Sequence, residues 1–353
     1  MTARKIAVVL FNLGGPDNQD AVRPFLFNLF NDRRIIGAPA PIRLAIAALI
    51  STTRAASARK NYALMGGGSP IVPETQAQLD ALQKRLPKTD AHEFRVFMGM
   101  RYWKPFAKDA AAAVRAWGAD EAILLPLYPQ FSTTTTATAH EAWTKAYAGK
   151  SRTICCYPAS DAFARAHADA ILDAWKTGGS PPAPRVLFSA HGLPQRVVDA
   201  GDSYQWQVEK TVAAVRVLLP QDWDFRTCYQ SRVGPLKWIG PSTAEEIERA
   251  GRDKRGVIVS PIAFVSEHIE TLVELDIEYA ERAHAKSLPF YLRAKALGAA
   301  DGFIETLAAV VRRALGDPQA IASETGARIC PHSFGECLMP NMSGPAATRK
   351  DAA

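Results

Sequence analysis

The sequence predicts an α/β protein made of two doubly wound, Rossmann-like domains, each a parallel sheet flanked by helices. Two observations carry that prediction. Short β-branched apolar runs alternate with amphipathic helical stretches in both halves of the chain, which is the rhythm of βαβ units. A Gly/Pro-rich break at residues 178–184 (GGSPPAP) interrupts the alternation, which then restarts. At 353 residues, 48% hydrophobic and 22% charged, the chain is globular and long enough for two domains.

Residues 5–12 (KIAVVLFN) read as a buried strand, followed by a Gly turn and a helix with Val22, Phe25, Leu26, Leu29 and Phe30 on one side. The turn NLGGPD lacks GxGxxG, and Pro16 has no N–H to offer a phosphate, so a dinucleotide site is excluded. Residues 35–50 (IIGAPAPIRLAIAALI) carry one charge, Arg43. They are too short and Pro-broken to span a bilayer, and fit either a core helix or an exposed lip on a pocket or lipid surface. The run YALMGGGSP, residues 62–70, allows close backbone approach but has no P-loop Lys. A helix at 74–86 and a strand at 94–98 follow, the strand ending in Arg101-Tyr102-Trp103. An Arg beside aromatics there suits a flat ligand bearing carboxylates, or a surface stack of Arg on Trp. After a helix at 105–117 and a strand at 121–127 come five hydroxyl residues, Ser132 to Thr136, able to bind an anion or cap the helix at 138–147.

A strand at 153–157 and a helix at 162–175 complete the first passage. The second runs strand 185–190, helix 205–219, strand 225–229, helix 242–250, strand 256–261, an acidic helix to residue 279 and a final helix at 303–315. The domain boundary falls between about 150 and 185. Net charge is +7, with no Lys/Arg-rich block or interleaved aromatic stripe, so nucleic acid is excluded and an acidic substrate or lipid surface is favoured. The opening MTARKIAVVLFNLGG has no small-residue cleavage site, and a cytoplasmic protein is expected. Five cysteines are too few for a secreted disulfide framework, and Cys228 reads as core.

Two stretches carry chemistry. In PIAFVSEHIETLVELDIEY, Glu267, Glu270, Glu274 and Glu278 recur at helical spacing near His268, with no Lys or Arg between residues 265 and 279. Such a strip is either a solvated acidic face or, because it follows a buried strand, the wall of a cleft that handles cations or protons. His191, in SAHGLP, also stands at a strand's carboxyl end. Facing the acidic row it would make a proton-transfer pair or a weak site for a divalent metal. Trp238 with Arg232 and Gln230 suits a planar anionic ligand.

Seven motifs in order, FNLGGP, YxxxGGGSP, RYW, LYPQFSTTT, FSAHGLP, YQSRVGPLKWIGP and PIAFVSEHIETLVELDIEY, make the chain from about residue 5 to about 315 resemble the ferrochelatases, which insert ferrous iron into porphyrin at the last step of haem formation. The resemblance implies protoporphyrin IX and Fe²⁺ as substrates. It makes His191 the essential histidine and Glu270 the carboxylate opposite it, together the iron site, with His268, Glu274 and Glu278 along an acidic path. Arg101, Tyr102 and Trp238 would line the porphyrin pocket, Ser132 and Thr133 would meet the propionates, and Ile36 would lie on a lip that opens toward a membrane. Coproporphyrin as substrate, another metal, or a non-catalytic tetrapyrrole or haem carrier are the alternatives. Some members hold a [2Fe-2S] cluster through a C-terminal extension, which here points to Cys156 (or Cys155), Cys330, His332 and Cys337; free thiols on a tail are the other reading. The LYPQFSTTT loop departs from animal members in having no Cys. The implied division is 1–155, rejoined by the helix at 301–316; 156–300, carrying His191 and Glu270; and an extension, 317–353.

Overall fold

The computed structural model describes residues 3–232 and 234–339. The first passage comprises β1 (Arg4–Asn12), α1 (Val22–Phe30), α2 (Ala40–Ala63), α3 (Ile71–Arg85), β2 (His92–Met100), α4 (Ala107–Trp117), β3 (Glu121–Pro126), α5 (Thr138–Ala146), β4 (Ser151–Cys156) and α6 (Asp161–Thr177). The second comprises β5 (Arg185–His191), α7 (Gln195–Asp199), α8 (Tyr204–Arg216), β6 (Asp224–Gln230), α9 (Thr243–Arg252), β7 (Val257–Pro261), α10 (Tyr279–Ala285), β8 (Tyr291–Arg293), α11 (Asp301–Gly316) and β9 (Ile321–Ser323). Two π-helical segments, Thr133–Ala137 and Glu270–Glu278, lead into α5 and α10.

The strands form two sheets, ordered β2-β1-β3-β4-β9 and β6-β5-β7-β8, with every strand pair parallel. Helices cover both faces of a parallel sheet, which is why Ile6 through Phe11 are wholly buried and read as one apolar run rather than an alternation. In each sheet the first strand has the second on one side and the third on the other. That reversal opens a crevice at the carboxyl ends of β1/β3 and of β5/β7. The motif-bearing loops leave from those ends, so topology alone gathers them.

The two sheets share helices. Phe303, Leu307, Val310 and Val311 of α11 pack with Ile6, Val8 and Leu10 of β1, so this helix returns to the first core. Helix α6 stands between the two, giving Phe163 and Ala166 to one core and Ala164, Ala168 and Ile171 to the other. Gly68 permits a further close contact, since a Cβ there would lie 2.7 Å from the Asp17 carbonyl oxygen.

Two features differ from the sequence reading, and a third decides between its alternatives. Strands β8 and β9, three residues each, are too short to show a period. β9 adds the start of the expected extension to the first sheet through β4. Helix α2 continues to Ala63 and exposes Ile42, Leu44 and Leu49 (55%, 45% and 65%), so the apolar stretch is a surface feature and not a core helix. The acidic stretch is π-helical instead of α-helical, a wider turn closed by i→i+5 bonds. Among the described residues no helix is long and apolar enough to cross a membrane.

Candidate active site

Strand β5 delivers His191 to the crevice of the second sheet. β7 ends at Pro261, turns, and starts the π-helix at Glu270, so two neighbouring strands aim their next residues at one point. His191 Nδ1 lies 2.8 Å from Glu270 Oε2, and the side chains are 39% and 22% exposed, open to a ligand. Burial pulls the His191 pKa down, but the Glu270 and Glu274 charges outweigh it and the net shift is upward. Burial likewise raises the Glu270 carboxyl, yet His191, His268 and the Ser231 hydroxyl bring it down to about 2. The pair therefore sets an ionised carboxylate against an imidazole of increased proton affinity, which can take up a proton and release it.

Glu274 continues the row. Its Oε1 accepts from the Ser231 N–H (2.8 Å) and the Tyr279 hydroxyl (3.0 Å), and its Oε2 from Gln230 Nε2 (3.1 Å). Glu278 follows, its pKa raised by burial and by Glu274 and Glu281. His268 is buried; its Nδ1 is 3.0 Å from the Ser266 carbonyl, and its ring packs on Phe264. Glu267 leaves the row: its Oε1 takes Arg293 Nη1 at 2.8 Å and the Ala296 N–H at 3.0 Å. Arg293 also pairs with Asp276. The stretch without Lys or Arg thus gains a cation from β8. Gly192 keeps the floor tight, because a Cβ there would lie 2.8 Å from the Gln230 carbonyl and 3.3 Å from the Trp238 ring. Trp238 accordingly stands against Gly192, the residue after His191.

On the first sheet, Asp32 organises the expected pocket residues. Its Oδ2 receives Arg101 Nη2 (2.6 Å), Thr138 Oγ1 (2.6 Å) and the Tyr102 hydroxyl (2.9 Å), while Arg101 Nε donates to Thr138 Oγ1. The Ile36 N–H donates to the Asp32 carbonyl, which ties Ile36 to the same place as Arg101. Tyr102 is 1% exposed and packs as core beneath the Arg101 guanidinium. Ser132 and Thr133 are buried, and their hydroxyls and the Thr133 N–H converge on Asp202 Oδ2 at 2.7–2.9 Å. Sequence reasoning missed Asp32, Asp202, Ser231 and Tyr279. It also missed Tyr62, whose phenol is pushed up by burial and by the Glu270 charge; its YxxxGGGSP motif was the available signal.

Four cysteines meet where β4 and the extension join. Cys155 touches Cys156 and Cys337, and Cys337 touches Cys330; these contacts raise Cys155, Cys330 and Cys337, while burial raises Cys156 against the pull of Cys155, so all four thiols are pushed up. Cys155, Cys156 and Cys330 are buried; Cys155 and Cys156 share an apolar cluster with Phe131 and Met339, against which Cys337 packs, and Gln207 Nε2 lies 3.0 Å from Cys330 Sγ. Arg328 shapes the loop by donating to the carbonyls of Cys330, Pro331, Phe334 and Met339. His332 is exposed, and residues 340–353 of the expected extension lie outside the described residues. Among the described residues no three His, Cys, Asp or Glu side chains are arranged to hold a single metal ion.

A model of the ferrochelatase family matches residues 5–315. The chain is 53% identical to the ferrochelatase of Hyphomonas neptunium, covering 98% of both chains. It is 55% identical to that of Phenylobacterium zucineum, covering 96% of this chain and 98% of the relative. Among solved structures it is similar to SirB from Bacillus subtilis with Fe³⁺, at a TM-score of 0.52 and 11% identity over 88% of this chain and 95% of the other, a likeness of fold.

Proposed function

The chain belongs to the ferrochelatase family, a lyase that inserts Fe²⁺ into protoporphyrin to form haem, and we propose that His191 and Glu270 perform the insertion. The 2.8 Å contact between them carries this reading. Free-base porphyrin loses two pyrrole protons as a dication enters. A base must therefore stand at the ring face and positive charge must pass through the site. His191, its proton affinity increased by the carboxylates, takes the two pyrrole protons in turn and passes each to water along the acidic row; Glu270 stabilises the imidazolium between transfers and offers the anionic oxygen that Fe²⁺ meets. Glu274 and Glu278 extend that anionic path, and His268 holds Glu270 ionised. Trp238 and Arg101 bound the macrocycle at two edges, and Ile36 lies on its lip. Ser132 and Thr133 set the loop through Asp202. A carrier of tetrapyrrole would need neither base nor acidic row. Loss of porphyrin fluorescence on adding Fe²⁺ without oxygen tests the reading: His191→Ala binds porphyrin and fails to metallate it, and an undiminished rate would sink the mechanism.

We divide the chain as 1–155 with 301–316, 156–300, and the extension 317–353. We take the protein as cytoplasmic, and the exposed Ile42, Leu44 and Leu49 on α2 support a lip that touches the inner face of a membrane. Liposome flotation that is lost in Ile42→Glu/Leu49→Glu supports that contact; equal flotation removes it.

The thiol quartet suits a [2Fe-2S] cluster, in which each iron takes two thiolates, so a single-ion geometry is not required. Cys155, Cys156, Cys330 and Cys337 would hold it, with Cys155 in the place given to exposed His332. When bound, such a group supplies one-electron redox chemistry and cross-links the extension to β4. Visible absorbance that bleaches on reduction and is absent from Cys330→Ser is expected; a colourless, iron-free wild-type protein ends the idea.

A further inference from the structure

We propose that Ser231 is a positioning residue whose hydroxyl joins Glu270 and Glu274 into one acceptor of positive charge, and so governs how iron reaches the His191–Glu270 pair. The inference rests on the reading of that pair as the iron site.

Ser231 follows the last residue of β6 and holds φ at +62°, a left-handed backbone uncommon outside glycine. That turn aims two of its groups at the π-helix. The N–H donates to Glu274 Oε1 at 2.8 Å, and Oγ stands 3.1 Å from Glu270 Oε2 and 2.5 Å from Glu274 Oε2. The neighbouring Gln230 braces the same helix, its Nε2 donating to the Glu270 carbonyl at 2.9 Å and its Oε1 accepting from Ser189 Oγ at 2.7 Å. Glu270 Oε2 is also the oxygen that meets His191.

Hydrogen counting gives the arrangement its function. A hydroxyl has one proton, and two ionised carboxylates have none to donate. Ser231 therefore serves one of the two oxygens at a time, and the other faces its lone pairs. A positive charge arriving at either carboxylate removes this mismatch: with charge on Glu270 the hydroxyl turns to Glu274, and with charge on Glu274 it turns back. The rotor needs no movement of the π-helix, only of one hydrogen. A purely structural Ser231 would hold the loop and affect fold and porphyrin affinity alike.

Ser231→Gly separates these roles, because glycine keeps the left-handed turn and its N–H while deleting the hydroxyl. In anaerobic metallation assays with Fe²⁺ and porphyrin varied in turn, kcat/KM for Fe²⁺ should fall about tenfold or more, with thermal midpoint and porphyrin Kd unchanged. Ser231→Asn, which tolerates the left-handed backbone and restores a donor, should recover part of the loss. Wild-type iron kinetics in Ser231→Gly, or a loss shared equally by porphyrin binding, would overturn the proposal. Glu270→Gln is run beside it. If that variant stays active, the iron-site reading fails; if it is inactive while Ser231→Gly is normal, only the role of Ser231 fails.

Discussion

Asp32 and Glu270 are both carboxylates set beyond the carboxyl ends of parallel strands, one over each sheet, and they do opposite things. Asp32 is 5% exposed and surrounded by a guanidinium, two hydroxyls and the Arg34 N–H. Burial pushes its carboxyl up, but Arg101 and these hydrogen bonds hold it below the usual range. Glu270 is shifted in the same direction but has a titratable partner, His191, and both remain open to the crevice. A permanently charged Arg locks a carboxylate into structure. A histidine leaves it able to take part in proton and cation traffic. The partner's chemistry, more than the carboxylate's burial, separates scaffold from machinery.

The largest expected effect falls on the open pair. Glu270→Gln should lower kcat by about 10²–10⁴-fold, the usual loss for an acid–base group, with the fold intact by calorimetry. A variant that keeps wild-type turnover would erase the distinction from one side. Asp32→Asn should act the other way, lowering unfolding stability by about 2–3 kcal/mol, less than a fully buried ion pair because Arg101 is 26% exposed. Denaturant unfolding reads this directly, and an unchanged midpoint with lost activity would erase it from the other.

The part of this comparison readable in the sequence is the local part. His191 and the Glu270, Glu274, Glu278 row lie within short motifs that directly follow apolar strands, so order along the chain places them in one crevice. Asp32 was not readable, because its partners Arg101, Tyr102 and Thr138 lie 69 to 106 positions away and nothing near Asp32 signals them. Glu267 was misassigned to the row for the same reason: Arg293 comes from a three-residue strand with no period to detect. Ser231 was hidden because a left-handed serine looks like any loop residue. The parallel sheets were legible throughout, since burial on both faces writes itself as continuous apolar runs such as residues 5–12.

The smallest effect is a titration, and it discriminates best. His191 has its pKa raised on folding, so its contribution to stability is complete below the unfolded value of about 6.5 and is lost as pH rises through the folded value. Glu270 has its pKa depressed to about 2, so its contribution is complete above the unfolded value of about 4.3 and is lost as pH falls through about 2. The pair is worth most between those unfolded values, roughly pH 4.3 to 6.5. If neutral His191 is the base, metallation rises with pH through its raised pKa. Glu270→Gln removes the nearest carboxylate, so the His191 imidazole resonances and the acid limb of the residual activity should both move to lower pH. Asp32→Asn, on the other sheet, should leave both in place. If Asp32→Asn moves the His191 titration as far as Glu270→Gln does, the two carboxylates belong to one electrostatic unit, and the division between scaffold and machinery does not hold.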